Sequence, residues 1–381
     1  MKAEYDVAVV GGGMLGLAAA RALARRGREV VLLERDEIGS ADGGSKGSCR
    51  IFRLGYTDAG YVTLTRRARE FWRPVEDESG QRLLWPTPHL TFGGGLGTVH
   101  QAMRTAGAPC ELLTAAAAAA RFPQVTAGGP ALLEPESCVI SADATLRALA
   151  AGVPEIRAGV AVTGIGDDGR QVTIRTTAGP VTAGTVVVCA GPWTGQLLAA
   201  GGIAVPSAAT LEQVGYVAPA AGPVPAMPIF ICHDAQIPYG LPVPGSPLYK
   251  IGFHHSGPPA DPDRQDHAPD RDLCAQLAGL ARQYLPGFGP ELIQAERCIY
   301  DNSPDEGFIV DRVGRVVIGS GTSGHGFKFG PLLGEWLADL ATGRDLADGD
   351  ARLLAQLSLS RFAARPGPQS GPVSESARHT R

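Results

Sequence analysis

The chain has 381 residues, 44% of them hydrophobic, and its 34 lysines and arginines against 38 aspartates and glutamates give a formal net charge of −4. This composition supports a large buried core and excludes a disordered or fibrous protein, and the lack of a basic stripe argues against a nucleic-acid partner. Seven scattered cysteines without CxxC pairs favour a reduced, cytoplasmic compartment, and no apolar stretch reaches the roughly 20 residues that span a bilayer. We therefore expect neither a signal peptide nor a membrane anchor.

The N-terminal segment predicts a β-loop-α-β unit. A β-branched run at 5–10 stops at a glycine loop that begins with Gly11, and an Ala/Leu/Arg-rich segment at 17–26 predicts a helix that ends at Gly27. The run 28–33 predicts a second strand, which leads into Glu34. Such a unit predicts a right-handed parallel crossover.

The rest of the chain divides into segments of different texture. Helices are predicted at 61–76, 115–120, 142–152 and 331–342. Strands are predicted within 84–95, on both sides of a turn at 167–169, at 185–191, at 307–311 and at 316–321. The Pro/Gly-rich stretch 206–290 favours antiparallel strands and a separate domain. The alanine run at 115–120 is also compatible with a low-complexity segment.

The glycine loop has the spacing of a dinucleotide-binding fingerprint. Gly11-x-Gly13-x-x-Gly16 follows a predicted strand, opens a predicted helix, and precedes Glu34 by the usual distance. These glycines would allow a tight turn, close approach to a pyrophosphate and helix packing, and the Glu34 carboxylate would accept hydrogen bonds from a ribose. The carboxylate would repel a 2′-phosphate, so FAD or NAD is expected rather than NADP; a purely structural glycine turn is the alternative.

Further segments carry a resemblance to a known family. They are GSKGSCRIFR at 44–53, YGLP at 239–242, KIGFH at 250–254, CIY at 298–300 and GHGFKF at 324–329. Together with the fingerprint, they resemble the monomeric sarcosine oxidase branch of the D-amino-acid-oxidase-like flavoproteins, over nearly the whole chain up to about Gly343. One departure is Lys46, where the family usually has a histidine.

The resemblance implies an α/β fold with two interleaved domains. A Rossmann-like FAD-binding domain would comprise 1–85, 143–208 and 293–364, and an α+β substrate domain built on an antiparallel sheet would comprise 86–142 and 209–292. Residues 365–381 are predicted to form a flexible tail.

The resemblance also implies the cofactor site. FAD would be attached covalently by a thioether from Cys298 to its 8α-methyl group, which requires an oriented or low-pKa thiolate. A buried structural cysteine is the alternative. The other implied cofactor-binding residues are Gly11, Gly13, Met14, Gly16, Glu34, Arg35, Ser45, Lys46, Arg50, Val162, Ala190, Gly191, Trp193, Gly324, His325, Gly326 and Lys328.

Two cations are implied to hold the substrate. Arg53 and Lys328 match the pair that binds the substrate carboxylate, and two converging cations need an anionic ligand to offset their repulsion and desolvation. Separate surface salt bridges are the alternative.

The remaining implied catalytic residues surround the flavin ring. Lys250 would promote the reaction with O2 by stabilising the charge of superoxide, and Arg50 would lie near the flavin. Tyr239, His254 and Tyr300 would line the substrate side, although a histidine on an apolar strand is often structural. His325 is expected to shape the backbone rather than transfer protons.

The resemblance implies an FAD-dependent amine oxidase. A secondary amino acid such as an N-substituted glycine would pass a hydride equivalent to flavin N5 and become an imine that hydrolyses, and O2 would be reduced to hydrogen peroxide. An oxidase of a cyclic imino acid such as proline, pipecolate or a piperideine carboxylate is the nearest alternative. An NAD-dependent dehydrogenase and an FAD-bearing RNA-modification module are more distant ones. A monomer that binds neither nucleic acid nor membrane is expected.

Overall fold

The protein is described by a computed structural model that covers residues 3–222 and 226–362. The strands are β1 (Tyr5–Val10), β2 (Val30–Leu33), β3 (Cys49–Phe52), β4 (Leu84–Pro86), β5 (His89–Phe92), β6 (Glu111–Leu113), β7 (Ala131–Glu134), β8 (Cys138–Ser141), β9 (Ile156–Arg157), β10 (Val162–Asp167), β11 (Val172–Thr176), β12 (Val181–Val188), β13 (Ala208–Val217), β14 (Ile229–Cys232), β15 (Pro238–Pro242), β16 (Tyr249–Phe253), β17 (Gln294–Asn302), β18 (Ile309–Val313) and β19 (Val316–Ser320). The helices are α1 (Met14–Arg25), α2 (Ala59–Glu70), α3 (Trp72–Ser79), α4 (Leu96–Thr105), α5 (Ala115–Arg121), α6 (Ala142–Ala151), α7 (Thr194–Ala199), α8 (Arg271–Tyr284), α9 (Gly330–Thr342) and α10 (Asp348–Ala355).

The first sheet has a parallel centre that carries the glycine loop. Strand β1 pairs in parallel with β2 and β12, β12 pairs in parallel with β19, and β9 extends the sheet beyond β2. All four residues of β2 and the last four of β1 are buried, as expected of strands covered on both faces. Helices α1 and α9 pack against each other and share one large core with this sheet. The predicted Rossmann-like unit is confirmed.

The second sheet is mostly antiparallel, and the described residues contribute eight strands to it, in the order β17-β13-β16-β15-β14-β5-β7-β6. Strands β14 and β5 pair in parallel. Helix α8 packs on β13 and β16, and a separate apolar core fills this side of the molecule. A small third sheet, β3-β8-β4, joins strands from both predicted domains. The predicted α/β fold with an interleaved antiparallel sheet is confirmed.

The sheets do not follow the predicted domain boundaries at every point. Strand β17 lies in the segment 293–364, which we assigned to the FAD-binding domain, but it pairs with β13 along nine residues of the second sheet. Strand β8, within 86–142, pairs instead with β3 and β4. The predicted tail at 365–381 lies outside the described residues. The division into domains therefore stays a prediction.

Two helix predictions need correction. The predicted helix at 61–76 is two helices, α2 and α3, which meet at Phe71. Pro74 explains the break, because its ring has no N–H for the Glu70 carbonyl and clashes with that group in a continuous helix. Helix α8 was missed inside the stretch assigned to strands, although Asp270 caps it by accepting a hydrogen bond from the Leu273 N–H at 2.9 Å. Among the described residues, no helix combines the length and the apolar character that a membrane span requires.

Candidate active site

A single cavity of about 700 Å³ brings the predicted site residues together. It runs from the glycine loop after β1 to the segment before α9 and is lined by both large sheets. Every residue that we predicted for the site lines this cavity, with the exception of Gly16. Residues as far apart in the sequence as Gly11 and Lys328 therefore meet in one place.

The glycine loop forms a close-packed cradle at one end of the cavity. Gly11 has a φ of 101°, and a Cβ there would overlap the carbonyl oxygen of Cys189. A Cβ at Gly16 would overlap the carbonyl oxygen of Gly11, so Gly16 acts behind the cavity wall by letting α1 approach the loop. The Met14 N–H donates to Ser45 Oγ at 2.9 Å. This arrangement leaves room for a pyrophosphate at the N-terminus of α1.

The acid after β2 lies beside the glycine loop. Glu34 accepts hydrogen bonds from the backbone N–H groups of Gly12 at 2.5 Å and Asp36 at 2.9 Å. Burial raises the pKa of Glu34, and these two N–H donors oppose the rise. The carboxylate is thus held rigidly beside the glycine loop, where a dinucleotide's ribose hydroxyls would meet it.

Next to Glu34, the predicted residues Arg35 and Trp193 contact Asp263, which was not predicted from the sequence. The guanidinium of Arg35 lies 4.6 Å from the ring centroid of Trp193. Asp263, in the loop before α8, accepts from Trp193 Nε1 at 2.8 Å and from Arg35 Nη1 at 3.1 Å. The loop between β16 and α8 therefore contacts the segments that follow β2 and β12 at this end of the cavity. The residues Val162, Ala190 and Gly191 line the same end.

Arg50 and Lys250 lie beside the predicted attachment cysteine. Arg50 donates to the carbonyls of Cys49 at 2.9 Å and Gly44 at 3.1 Å, and also to that of Lys46. Lys250 is 6% exposed and its Nζ lies 3.5 Å from the Cys49 carbonyl oxygen. Burial and the Arg50 charge lower the pKa of Lys250.

Cys298 lies on β17, directly opposite Glu212 of β13. Burial raises the pKa of its thiol, while the charges of Arg50 and Lys250 act in the opposite direction. A resting thiolate is therefore not favoured at Cys298.

Arg53 and Lys328 converge on one aromatic ring. The Arg53 guanidinium lies 4.2 Å and Lys328 Nζ 5.1 Å from the ring centroid of Tyr56. Arg53 Nη1 is buried and has no hydrogen-bond partner in the described part of the chain, and the only ligand there of Lys328 Nζ is the His325 carbonyl, at 2.9 Å. Burial and the Arg53 charge hold the pKa of Lys328 well below its usual range. Two unpaired cations in a cavity are a site for an anion.

The predicted aromatic and imidazole groups complete this end of the cavity. The ring centroids of His254 and Tyr300 are 5.8 Å apart. Tyr239 lies on β15, which pairs with β16, the strand that ends just before His254. Burial, with His255 and Arg53 as further causes, holds the pKa of His254 well below its usual range. His254 is therefore a neutral imidazole at neutral pH and can accept or donate a hydrogen bond without carrying charge.

His325 is engaged through both ring nitrogens. Its Nδ1 lies 3.1 Å from Tyr56 Oη and its Nε2 lies 3.0 Å from the Glu306 carbonyl oxygen. The neighbouring Gly324 has a φ of 72°, and a Cβ there would overlap the Tyr300 ring. Both features support the prediction that His325 shapes the backbone of this loop rather than transferring protons. Gly326 follows directly in the same loop.

Three residues of the site were missed in the sequence. The Tyr56 ring contacts both cations, Asp263 accepts hydrogen bonds from Trp193 and Arg35, and Glu134 is buried next to the segment that carries Arg53. For Glu134 a signal existed, because an acid directly after the apolar residues of β7 is unusual unless its charge is needed. Tyr56 and Asp263 have no comparable local signal.

A glycine cradle at the end of a parallel strand, opening into one long cavity, defines a dinucleotide-dependent enzyme. The family model of FAD dependent oxidoreductases (DAO) matches residues 6–340, and the chain belongs to this family. The expected FAD dependence is thereby confirmed, and the glycine cradle and the acid beside it fit that cofactor. The NAD-dependent dehydrogenase interpretation is set aside.

Individual relatives support the predicted branch of the family. The chain is 34% identical to a peroxisomal sarcosine oxidase of Mus musculus over 369 residues, which cover 88% of this chain and 92% of that protein. It is 31% identical to a monomeric sarcosine oxidase of Bacillus sp. (strain NS-129) over 378 residues, covering 90% and 94%. A solved structure of NikD, described as an unusual amino acid oxidase essential for nikkomycin biosynthesis, matches with a TM-score of 0.83 and 28% identity, covering 92% of this chain and 96% of that one. The predicted resemblance is confirmed.

Proposed function

We propose that the protein is an amine oxidase that converts a secondary amino acid of the N-substituted glycine type to an imine and passes the electrons to O2. One observation carries the proposal: Arg53 and Lys328, both without an anionic partner in the described residues, lie in the same cavity as the dinucleotide cradle. The similarity to sarcosine oxidases supports the same substrate class.

The reaction balances without any residue acting as a covalent nucleophile. The C–H beside the amine nitrogen is lost together with one N–H proton, two electrons leave the substrate, and a C=N bond forms. O2 takes up the two electrons and two protons to give hydrogen peroxide, and water hydrolyses the imine. Bound FAD supplies the two-electron carrier between amine and O2.

The protein's contribution to the first half-reaction is orientation. Arg53 and Lys328 would bind the carboxylate and so fix the position of the neighbouring C–H and N–H groups, which lowers the entropic barrier. The same positive charges, with a neutral His254, would favour the unprotonated amine, the form that can lose hydride. Tyr239 and Tyr300 would exclude water from the reacting carbon.

For the second half-reaction, we infer that Lys250 faces the oxygen site. Its ammonium group is buried beside the Cys49 carbonyl, and a fixed positive charge stabilises the negative charge that develops when O2 accepts an electron. Arg50, which shares that carbonyl, would hold the surrounding loop and Lys46 in place.

We also propose covalent attachment of FAD through Cys298. The cysteine lines the cavity, and the charges of Arg50 and Lys250 act to lower the pKa of its thiol. Cys298→Ala is expected to release all yellow colour into the supernatant after acid precipitation, whereas the wild type keeps it in the pellet. Cys110→Ala, at a cysteine outside the cavity lining, is the matched control and should behave as the wild type. Colour released from the wild type itself would refute covalent attachment and leave the oxidase proposal intact.

A substrate panel tests the proposed activity. Hydrogen peroxide production is measured with N-methylglycine, N-ethylglycine, L-proline, L-pipecolate and the carboxylate-free N-methylbenzylamine. The proposal expects activity with the open-chain N-alkylglycines and little with the amine. Preference for the cyclic acids would select the alternative substrate, and activity with none of the four acids would refute the substrate class. The proposed monomeric state and cytoplasmic location are separate from this test.

A further inference from the structure

Glu134 of β7 lies against the backbone that follows Arg53, and its carboxylate is completely buried. It is the last residue of β7 and is paired across the sheet with His89 of β5. Glu134 and His89 both have 0% exposure. A buried carboxylate of this kind is strongly destabilising unless its charge and its lone pairs are satisfied.

The carboxylate oxygens are fully occupied by hydrogen bonds. Oε2 accepts from the backbone N–H groups of Leu54 at 2.8 Å and Gly55 at 2.9 Å. Oε1 lies 2.7 Å from His89 Nδ1, which must donate because an ionised carboxylate can only accept. Thr91 and Ser137 complete the set, with hydroxyl groups at 3.4 and 3.2 Å.

The two backbone donors belong to the residues that directly follow Arg53. The carboxylate therefore fixes the backbone next to Arg53. Gly55 is required for this contact, because a Cβ at that position would lie 2.5 Å from Glu134 Oε1. The position of the Arg53 guanidinium therefore depends on Glu134, although Glu134 does not line the cavity.

The charge of Glu134 also interacts electrostatically with Arg53 and Lys328. In the described residues Glu134 makes no salt bridge within 4.0 Å to Arg53 or Lys328, yet it influences both electrostatically. Burial would raise the pKa of Glu134, but His89 and Arg53 hold it at about 2, so the group is ionised. Its charge opposes the fall in the pKa of Lys328 that burial and Arg53 cause.

We propose that Glu134 is the positioning residue of the carboxylate-binding site: it fixes the backbone beside Arg53 and supplies the counter-charge of Arg53 and Lys328 while leaving their hydrogen-bond donors free. A direct salt bridge would balance the charges equally well but would occupy the donors that the substrate needs. Engaging the carboxylate with backbone N–H groups and His89 avoids that competition. This inference rests on the proposed role of Arg53 and Lys328 in binding a carboxylate.

The test is the pH dependence of carboxylate binding to the flavin-loaded enzyme, followed by the change in flavin absorbance on titration with acetate. The titratable or charged groups around Lys328 are Arg53 after β3, Tyr56 before α2, Glu134 on β7, His254 after β16 and His325 on its own loop. The pKa values of both histidines are well below their usual range and burial raises that of Tyr56, so Lys328 is the group expected to titrate on the alkaline side.

The variant Glu134→Gln keeps the shape of the side chain and removes its charge. Without the counter-charge Lys328 loses its proton more easily, so the pH at which acetate affinity falls should move about one unit lower, with equal or higher affinity at the acid end. Glu76→Gln is the matched control. Glu76 Oε1 accepts from the successive backbone N–H groups of Leu83 at 2.7 Å and Leu84 at 2.9 Å, but lies outside the cavity lining, and its loss should not move the profile.

The outcomes separate the possible roles. A loss of affinity by the same factor at every pH in Glu134→Gln would overturn the counter-charge proposal and leave Glu134 as a structural residue. If that variant does not fold, Glu134→Asp retains the charge on a shorter side chain and should weaken binding without moving the profile; a moved profile would overturn the proposal. Absence of acetate binding to the wild type would instead refute the carboxylate site on which the inference rests.

Discussion

Replacement of Lys328 by methionine tests the carboxylate site most sharply. Lys328 is 4% exposed, and of its three N–H groups one donates to the His325 carbonyl at 2.9 Å, which leaves two for a ligand. Methionine is an unbranched apolar side chain of similar length, and it removes the charge. The change therefore removes the ammonium group with little loss of packing volume.

The size of the effect follows from the bond that is lost. A hydrogen bond to a charged group contributes about 1.5–3 kcal/mol, which corresponds to about a 10- to 150-fold loss of kcat/KM for N-methylglycine. The loss should be much smaller for N-methylbenzylamine, which has no carboxylate, so each enzyme is assayed with both compounds. Equal losses for the acid and the amine would refute the assignment.

The pH profile of the same variant provides a second readout. Because burial and Arg53 lower the pKa of Lys328, its ammonium form is present below that lowered pKa and is lost as the pH rises through it. The wild type should therefore bind the acid more weakly toward alkaline pH, and Lys328→Met should lack this decline. A decline of the same size in the variant would assign it to another group.

Three further predictions address other parts of the molecule. Gly16→Ala should abolish FAD retention and lower the thermal unfolding temperature, because its Cβ would overlap the Gly11 carbonyl. The control is Gly97→Ala in α4, where no atom lies within 4 Å of the added carbon, and this variant should be neutral or stabilised by up to about 1 kcal/mol. Equal loss of FAD in both variants would contradict the packing argument. Lys250→Met should slow flavin reoxidation by O2 far more than flavin reduction in stopped-flow experiments, and an unchanged oxidative half-reaction would exclude the oxygen role. The pKa of Glu134 is lowered from 4.5 to about 2, so its ionised form stabilises the fold above its unfolded pKa and the stabilisation is lost as the pH falls toward about 2. In urea unfolding, the stability advantage of the wild type over Glu134→Gln should shrink by about 1 kcal/mol between about pH 5 and about pH 3.5, and a constant difference would contradict the lowered pKa.

The N-terminal unit could be predicted from the sequence because its determinants are local. Gly11, Gly16 and Glu34 lie within one β-loop-α-β unit, and the steric need for glycine at the first two positions is visible in the packing. Their chemistry does not depend on distant parts of the chain. The break at Phe71 was equally local and could have been found from Pro74.

The carboxylate site could be assembled only through resemblance. Arg53 and Lys328 are far apart in the sequence, and neither segment alone shows that the two side chains meet at Tyr56. Glu134 and Asp263 were missed for a related reason: their partners are a backbone turn beside Arg53 and the pair Arg35–Trp193, contacts that arise from tertiary packing. Such contacts leave no periodic signal in the sequence.

The absorption spectrum of the purified protein under anaerobic conditions, before and after addition of N-methylglycine, tests the central claim most directly. The account predicts a visible flavin band that disappears on addition of the secondary amino acid and returns when air is admitted, with formation of hydrogen peroxide. A flavin band that no N-alkylglycine or cyclic imino acid reduces, or a protein without flavin, would contradict it.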